Sequence, residues 1–162
     1  MSVEQNKTNL KRTVEAFNKG NMEIVPELFS EEWVYKSSLG VEFKGVDGSR
    51  KFGAMYRNAF PDLLTTIDEM IGEGDRLASI QTLTGTFTGN LGNIEPTEQK
   101  VNIKIAYFYR FENGKQVEVI PFMDRLLFYQ QLGFTPPLRP VNQIRAGGYL
   151  HICQLCSSYM FI

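Results

Sequence analysis

Four strand-like segments follow one another along the chain, and no helical segment separates them. Asn113-Gly114, between the last two, is a strong signal for a two-residue hairpin turn. Helical patterns precede these strands and do not alternate with them, so the βαβ units of a parallel sheet are missing. The order therefore predicts an α+β protein with an antiparallel sheet, whose strands cover residues 63–71, 76–88, 101–112 and 115–123.

The first helix is predicted over residues 3–18. Leu10, Val14 and Phe17 fall at the spacing of one amphipathic stripe, and Gly20 ends the pattern. The N-terminal helix therefore has one apolar face to bury.

Two more helices are predicted before the long strands. Asn21 can cap a short second helix, and residues 33–35 then read as a short strand. A third helix is expected over residues 47–60, with Asp47 or Ser49 as its cap.

Composition and charge limit the classes of partner. A chain of 162 residues with 43% hydrophobic content can form one good core and is short for two. The 17 basic and 18 acidic residues are spread along the chain, which argues against a nucleic-acid partner. No apolar run could span a bilayer, no signal peptide is visible, and two cysteines make no disulfide framework. We therefore expect a cytoplasmic protein without nucleic-acid or membrane partners.

The end of the chain differs in composition from the rest. We expect one domain over residues 1–137 and a tail over residues 138–162, which could be an interaction element, a helix at an oligomer interface or a coding artefact. His151, Cys153 and Cys156 offer three metal ligands, whereas a structural zinc site usually has four in two pairs. No metal is therefore expected.

Several local patterns occur together in the order typical of one known family. Over residues 5–137 the chain resembles the SnoaL-like polyketide cyclases (ester cyclase type) of the nuclear-transport-factor-2-like superfamily. The resemblance implies a cone-shaped α+β barrel, with N-terminal helices packed on a curved antiparallel sheet. The matching pieces are AFNKGN at 16–21, FPDL at 60–63, GDR at 74–76, GTFTG at 85–89, PT at 96–97, YRFENGK at 109–115, and Asp124 with QQLG at 130–133.

The resemblance also implies a function. Proteins of this kind are commonly oligomeric, so a homodimer is expected, and they hold a polycyclic or polyketide-like molecule in an apolar pocket. The enzymes among them close a ring by an intramolecular aldol reaction without a metal or organic cofactor. An acidic residue at the position of Asp124 serves as their acid/base. Relatives often carry His at the position of Phe87, Trp near Ile120 and a further His in the strand with Tyr107, so this chain departs from the pattern.

Asp124 allows two interpretations. If it is buried beside apolar side chains such as Phe122, its pKa rises toward neutrality and it can take and deliver the protons of an aldol reaction. It also directly precedes a short predicted helix, residues 125–132, where Asp is a preferred N-cap. Capping would lower its pKa, and Pro121 could shift the face on which it lies. Both interpretations stay open.

The pocket is expected between the N-terminal helices and the concave face of the sheet. Tyrosine hydroxyls there could hold an enolate, and Gln81 could hydrogen-bond a ligand carbonyl. The aromatic residues could equally be core or interface residues, and Gln81 could lie on a solvated face. Residues 105–109 are apolar on both faces, which fits a subunit interface on one side. The substrate-binding candidates are Phe17, Trp33, Tyr35, Phe52, Tyr56, Gln81, Phe87, Tyr107 and Phe122.

Two functional hypotheses follow from these residues. The first is a cofactor-free cyclase or isomerase acting on a polyketide-like or other carbonyl-rich small molecule, with Asp124 as acid/base. The second is a non-catalytic module of the same fold that binds an apolar small molecule or serves in oligomerisation. The missing His residues favour the second hypothesis.

Overall fold

In the part of the chain that is described, six strands form one sheet, and helices pack on its concave face. The structure is a computed structural model that describes residues 2–37 and 42–134. The α+β class and the packing of the N-terminal helices on a curved sheet are confirmed. The tail and its His and Cys residues lie outside the described residues. The elements are α1 Val3–Lys19, α2 Val25–Leu28, β1 Phe29–Lys36, β2 Glu42–Lys44, α3 Gly45–Ala59, β3 Leu64–Glu73, β4 Arg76–Thr86, β5 Lys100–Glu112, β6 Lys115–Met123 and α4 Arg125–Gln131.

The sheet is antiparallel except for one strand pair. Its order is β2-β1-β6-β5-β4-β3, and β3 to β6 form the predicted meander. Asn113 and Gly114 form the turn between β5 and β6, with φ of 50° and 78°. A two-residue turn of type I′ requires a positive φ at both central positions. β1 runs parallel to β6 instead. Because a helix and four strands separate these two in the chain, no hairpin dictates their direction.

The end of α1 is where the sequence predicts it, whereas the starts of α2 and α3 differ from the prediction. Gly20 ends α1 in the left-handed conformation, with φ of 68°. Asn21 does not cap α2; its side chain accepts a hydrogen bond from the Glu23 amide in a local turn. α3 begins at Gly45, before both expected caps, and the Ser49 hydroxyl donates to a main-chain carbonyl within the helix. Those two capping predictions were wrong: α2 begins only after Ile24, beyond the reach of the Asn21 turn, and α3 begins directly after β2.

Two apolar clusters fill the space between the helices and the sheet. One surrounds Phe60 and Phe87, which are fully buried near α4. The other surrounds Leu10 and Trp33, between α1 and β1. Tyr107 packs against both clusters, so it marks the region where they meet.

The opposite face of the sheet carries apolar side chains that no described element covers. Phe108 and Phe122 are each about half exposed, at 51% and 53%, and their rings meet edge to face. Ile71 and Ile80 are exposed on the neighbouring strands. This convex face therefore carries an apolar patch that the described residues do not bury.

Candidate functional site

A cavity of about 110 Å³ lies between α1, α3 and the concave face of the sheet. This is the region where the sequence placed a pocket. Its lining is mainly apolar and aromatic and draws on both core clusters. An apolar cavity of roughly 150 Å³ holds benzene in another protein, whereas drug-sized sites run to roughly 300–1,000 Å³. The space therefore suits a molecule of about one ring.

Most of the predicted binding residues meet in this cavity. Gln81 is only 3% exposed and forms part of its wall, so it does not lie on a solvated face. The strand residues among them share the concave face because alternate side chains of a strand point the same way. The predicted residues that line the cavity are Phe17, Trp33, Tyr35, Phe52, Tyr56, Gln81 and Tyr107.

Two predicted pocket residues lie elsewhere. Phe87 follows the end of β4 and is fully buried in the cluster with Phe60, at a ring-centroid distance of 5.4 Å. Phe122 lies on the convex face, because its neighbours Pro121 and Met123 take the concave positions of β6. Phe87 thus supports the core, and Phe122 belongs to the exposed apolar face.

Asp124 is exposed and is the N-cap of α4. Its Oδ1 accepts a hydrogen bond from the amide of Leu127 at 2.9 Å, as a capping residue does. It does not line the cavity, but it directly follows Met123, which does. The carboxylate therefore lies outside the cavity lining, and its acid/base role stays a prediction.

Three tyrosine hydroxyls in the cavity wall have no hydrogen-bond partner in the described part of the chain: those of Tyr35, Tyr56 and Tyr107. Burial raises the pKa of all three, that of Tyr56 to about 12. They are therefore neutral phenols at physiological pH, each with a proton to donate. The indole Nε1 of Trp33, also in the wall, is buried and has no partner among the described residues.

Tyr109 is the contrasting case on the same strand. Its ring stacks on that of Tyr107 at 5.8 Å, but its hydroxyl accepts a hydrogen bond from Gln81 Nε2 at 2.8 Å. The same amide group donates to Ser79 Oγ at 2.9 Å. Burial again raises the pKa of Tyr109, and these partners hold its hydroxyl in place. The sequence analysis did not find Ser79, since only the register of β4 and β5 brings these groups together.

Among the described residues that line the cavity, Arg57 is the one that carries a charge, and sequence reasoning missed it. Its guanidinium donates to the carbonyl oxygens of Phe17 and Asn18 at the end of α1, and to those of Pro61 and Leu63 after α3. The side chain therefore ties two chain segments together. An Arg in the last turn of a helix is the only signal for it in the sequence.

The described residues bring no metal-binding cluster and no bilayer-crossing helix together. Among them, no three His, Cys, Asp or Glu side chains gather at one place. None of the helices described is both long and apolar enough to cross a membrane.

Solved structures with this architecture come from several bacteria. A candidate SnoaL-like polyketide cyclase from Jannaschia sp. CCS1 has a TM-score of 0.75 at 20% identity, over 84% of this chain and 98% of that one. TsrD from Streptomyces laurentii has a TM-score of 0.74 at 21% identity, over 82% and 98%. AclR from Streptomyces galilaeus, a candidate hydroxylase, has a TM-score of 0.72 at 27% identity, over 83% and 100%. The neighbours thus share a fold and differ in assigned chemistry.

The sequence itself matches a family model. No curated protein matches the chain. The model described as SnoaL-like polyketide cyclase, however, matches residues 7–132, from α1 to the end of α4, which is well over half of the chain. This protein therefore belongs to the SnoaL-like polyketide cyclase family.

Proposed function

We propose that the cavity binds a small carbonyl compound and that the chain acts on it as a cofactor-free cyclase or isomerase. The observation that carries the proposal is the set of three unpaired phenol hydroxyls, from Tyr35, Tyr56 and Tyr107, in an apolar cavity. These three tyrosines line the cavity, and a phenol hydroxyl with no protein partner can donate to an acceptor on a ligand. A carbonyl oxygen is such an acceptor.

The same donors favour an enolate over a ketone. When a base removes a proton from the carbon next to a carbonyl, negative charge develops on the oxygen. Hydrogen bonds from fixed neutral donors strengthen as that charge grows, which lowers the barrier to enolate formation. Acting on a molecule with two carbonyl groups, the site would therefore promote an intramolecular aldol reaction.

The proton transfers require an acid/base, and we propose Asp124 for this role. It would take the proton from the carbon that becomes nucleophilic. That carbon then attacks the second carbonyl of the same molecule, a carbon–carbon bond forms, and the electron pair of the carbonyl moves to its oxygen. The resulting alkoxide regains the proton from Asp124, so no cofactor is consumed. Support comes from its position next to Met123 in the cavity wall and from Oδ2, which the capping bond to Leu127 leaves available.

Non-catalytic binding is the second candidate function. It is favoured by the lining, because none of the described residues around the cavity is a carboxylic acid. The exposed Asp124 also has a sufficient structural role as the N-cap of α4. In this case the tyrosine hydroxyls would hold a carbonyl ligand without reaction.

Ring closure of heptane-2,6-dione, followed by proton NMR, distinguishes the two candidates. This dione has the size of one ring and cyclises by an aldol reaction of its own two carbonyls. Catalysis predicts cyclisation above the buffer rate and a fall of about 10²–10⁴-fold in Asp124→Asn. Asp47→Asn, which changes an exposed carboxylate in the first turn of α3, is the control. Binding without turnover supports the second candidate, and the absence of both contradicts the proposed function.

We also propose that two copies of the chain associate through the convex face. The exposed apolar side chains of Ile71, Ile80, Phe108 and Phe122 lie on adjacent strands, and they adjoin a shallow groove of about 270 Å³. Contiguous exposed apolar patches are typical of protein interfaces. A second copy presents the same face, so each patch could bury the other.

A further inference from the structure

Arg125 lies just beyond the residues that line the cavity, at the start of α4. Its Nη2 donates to Ser37 Oγ at 2.8 Å, which joins the start of α4 to the end of β1. Ser37 lies two residues after Tyr35, and Arg125 lies two residues after Met123; both of these earlier residues line the cavity. The guanidinium therefore lies where two cavity-forming strands end.

No carboxylate neutralises this guanidinium within the described part of the chain. None of the ion pairs formed there includes Arg125, whereas Arg12, Arg50 and Arg110 all have an acidic partner. Its one hydrogen bond to a described side chain goes to a neutral hydroxyl. Since Arg125 is only partly exposed, solvent does not fully replace the missing partner.

The positive charge reaches the tyrosine hydroxyls of the cavity. Burial raises the pKa of Tyr35 and Tyr56, and the charge on Arg125 opposes that rise at both residues. An anion formed or bound beside these hydroxyls would gain from the same charge. Arg125 therefore acts on the space in which a ligand would lie.

The remaining charges around the cavity do not cancel this effect. The described lining includes no acidic residue, and the one cation in it, Arg57, gives four N–H donors to main-chain carbonyls. Arg125 has donors to spare, because a guanidinium carries five N–H groups. An Arg with free donors suits a carboxylate, which it can bind through two parallel hydrogen bonds.

We infer that the ligand of this cavity is a small keto acid, whose carboxylate is bound by Arg125 while its carbonyl oxygen lies among the hydroxyls of Tyr35, Tyr56 and Tyr107. The inference rests on the proposed function and narrows its substrate class in two ways. The volume of about 110 Å³ suits one ring or a short chain, which is smaller than the polycyclic molecule expected from the family resemblance. The unpaired guanidinium makes the ligand an anion.

Isothermal titration calorimetry with a matched pair of probes tests the inference. The probes are 5-oxohexanoate and 5-oxohexanamide, which have the same chain and ketone and differ in charge. The wild-type protein should bind the acid about ten- to a hundredfold more tightly than the amide, as expected for hydrogen bonds to a charged group. Arg125→Gln should abolish this preference and leave the affinity for the amide unchanged. Arg50→Gln, which alters an exposed arginine on α3, should retain the preference.

The possible outcomes separate this inference from the proposed function. Equal binding of acid and amide by the wild-type protein would overturn the inference and leave carbonyl binding intact. A preference for the acid that survives in Arg125→Gln would overturn the assignment to Arg125. Failure of both probes to bind would contradict the inference and the proposed function together. Arg125→Lys, which keeps the charge but loses the paired donors, should retain part of the preference and so guards against a misfolded Gln variant.

Discussion

The two faces of the sheet both carry aromatic residues, but those residues lie in different surroundings. On β5, Tyr107 and Tyr109 face the helices, and Ala106 and Phe108 face outward. The concave side chains are buried around a cavity and include hydroxyls without partners. The convex side chains are exposed and carry no buried polar group. Apolar character alone therefore does not distinguish the two faces. The proposals of a small-molecule site and of a dimer interface rest instead on the unpaired donors of the concave face and on the exposure of the convex one.

The ends of the convex face add a second difference. Lys36, Glu118 and Arg110 form ion pairs across β1, β6 and β5 at one end, and Asp68 pairs with Lys104 at the other. The concave side has no such pairs between described residues that line the cavity. Charge therefore surrounds the apolar patch on the convex face, as it surrounds many protein interfaces.

The largest expected effect on stability comes from removing a buried ring between the helices and the concave face of the sheet. Phe60→Ala removes a fully buried ring that packs against Phe87 and Phe128, so we expect the free energy of unfolding to fall by about 3–5 kcal/mol. Phe108→Ala removes a ring of the same size from the convex face and should cost less than about 1 kcal/mol in the monomer. Urea denaturation at several protein concentrations measures both. Equal losses would abolish the proposed distinction between the faces.

The convex face is tested by a charge at its centre. We expect Phe108→Asp to raise the dissociation constant of the proposed dimer at least about thirtyfold, as for a hot-spot residue worth 2 kcal/mol. Size-exclusion chromatography with light scattering gives the mass of the particle in solution. Lys51→Asp, which changes an exposed residue of α3, is the control. A wild-type protein that stays monomeric at high concentration would contradict the proposal that two copies associate through this face.

A smaller and sharper effect distinguishes two tyrosines within the concave face. Tyr109→Phe leaves the amide of Gln81 without one of its partners, so it should destabilise the fold by about 1–2 kcal/mol. Tyr107→Phe removes a hydroxyl that has no partner among the described residues and should leave stability unchanged or slightly higher. It should instead weaken the binding of 5-oxohexanamide several-fold. Urea denaturation and calorimetry on both variants check this, and the same stability loss in each would contradict the assignment of a free hydroxyl.

The sequence predicts the antiparallel meander well but does not predict the pairing of strands that lie far apart in the chain. Strands β3 to β6 and the turn at Asn113-Gly114 follow from local patterns. The parallel pair β1 and β6 does not, because it joins segments far apart in the chain. β2, with only three residues, is too short to give a periodic signal.

The same limit applies to the site. Tyr35, Gln81 and Tyr107 were pocket candidates in the sequence, and all three line the cavity. Phe87 has the parity of Gln81 but lies beyond the last residue of β4, where alternation no longer applies. The free hydroxyl of Tyr107 and the bonded one of Tyr109 cannot be told apart in sequence, since Gln81 reaches one and not the other only through the cross-strand register. Hydrogen-bond partners are set by tertiary structure, and composition does not encode them.

The smallest expected effect concerns the charged end of the convex face. The hydrogen bond from Lys36 Nζ to Glu118 at 2.6 Å lowers the pKa of that carboxyl, and Arg110 adds to the effect. Because the folded pKa lies below the unfolded one, the stabilisation is present above the unfolded value of about 4.3. It is lost as the pH falls through the folded pKa, since the unfolded chain then binds the additional proton. Glu118→Gln should reduce the difference in the free energy of unfolding between pH 6 and pH 3, measured by urea denaturation. The reduction should be less than about 1 kcal/mol because Lys36 is half exposed. An unchanged difference in the free energy of unfolding would mean that solvent fully screens the ion pairs of Glu118. Only the apolar residues would then distinguish the convex face from the concave one.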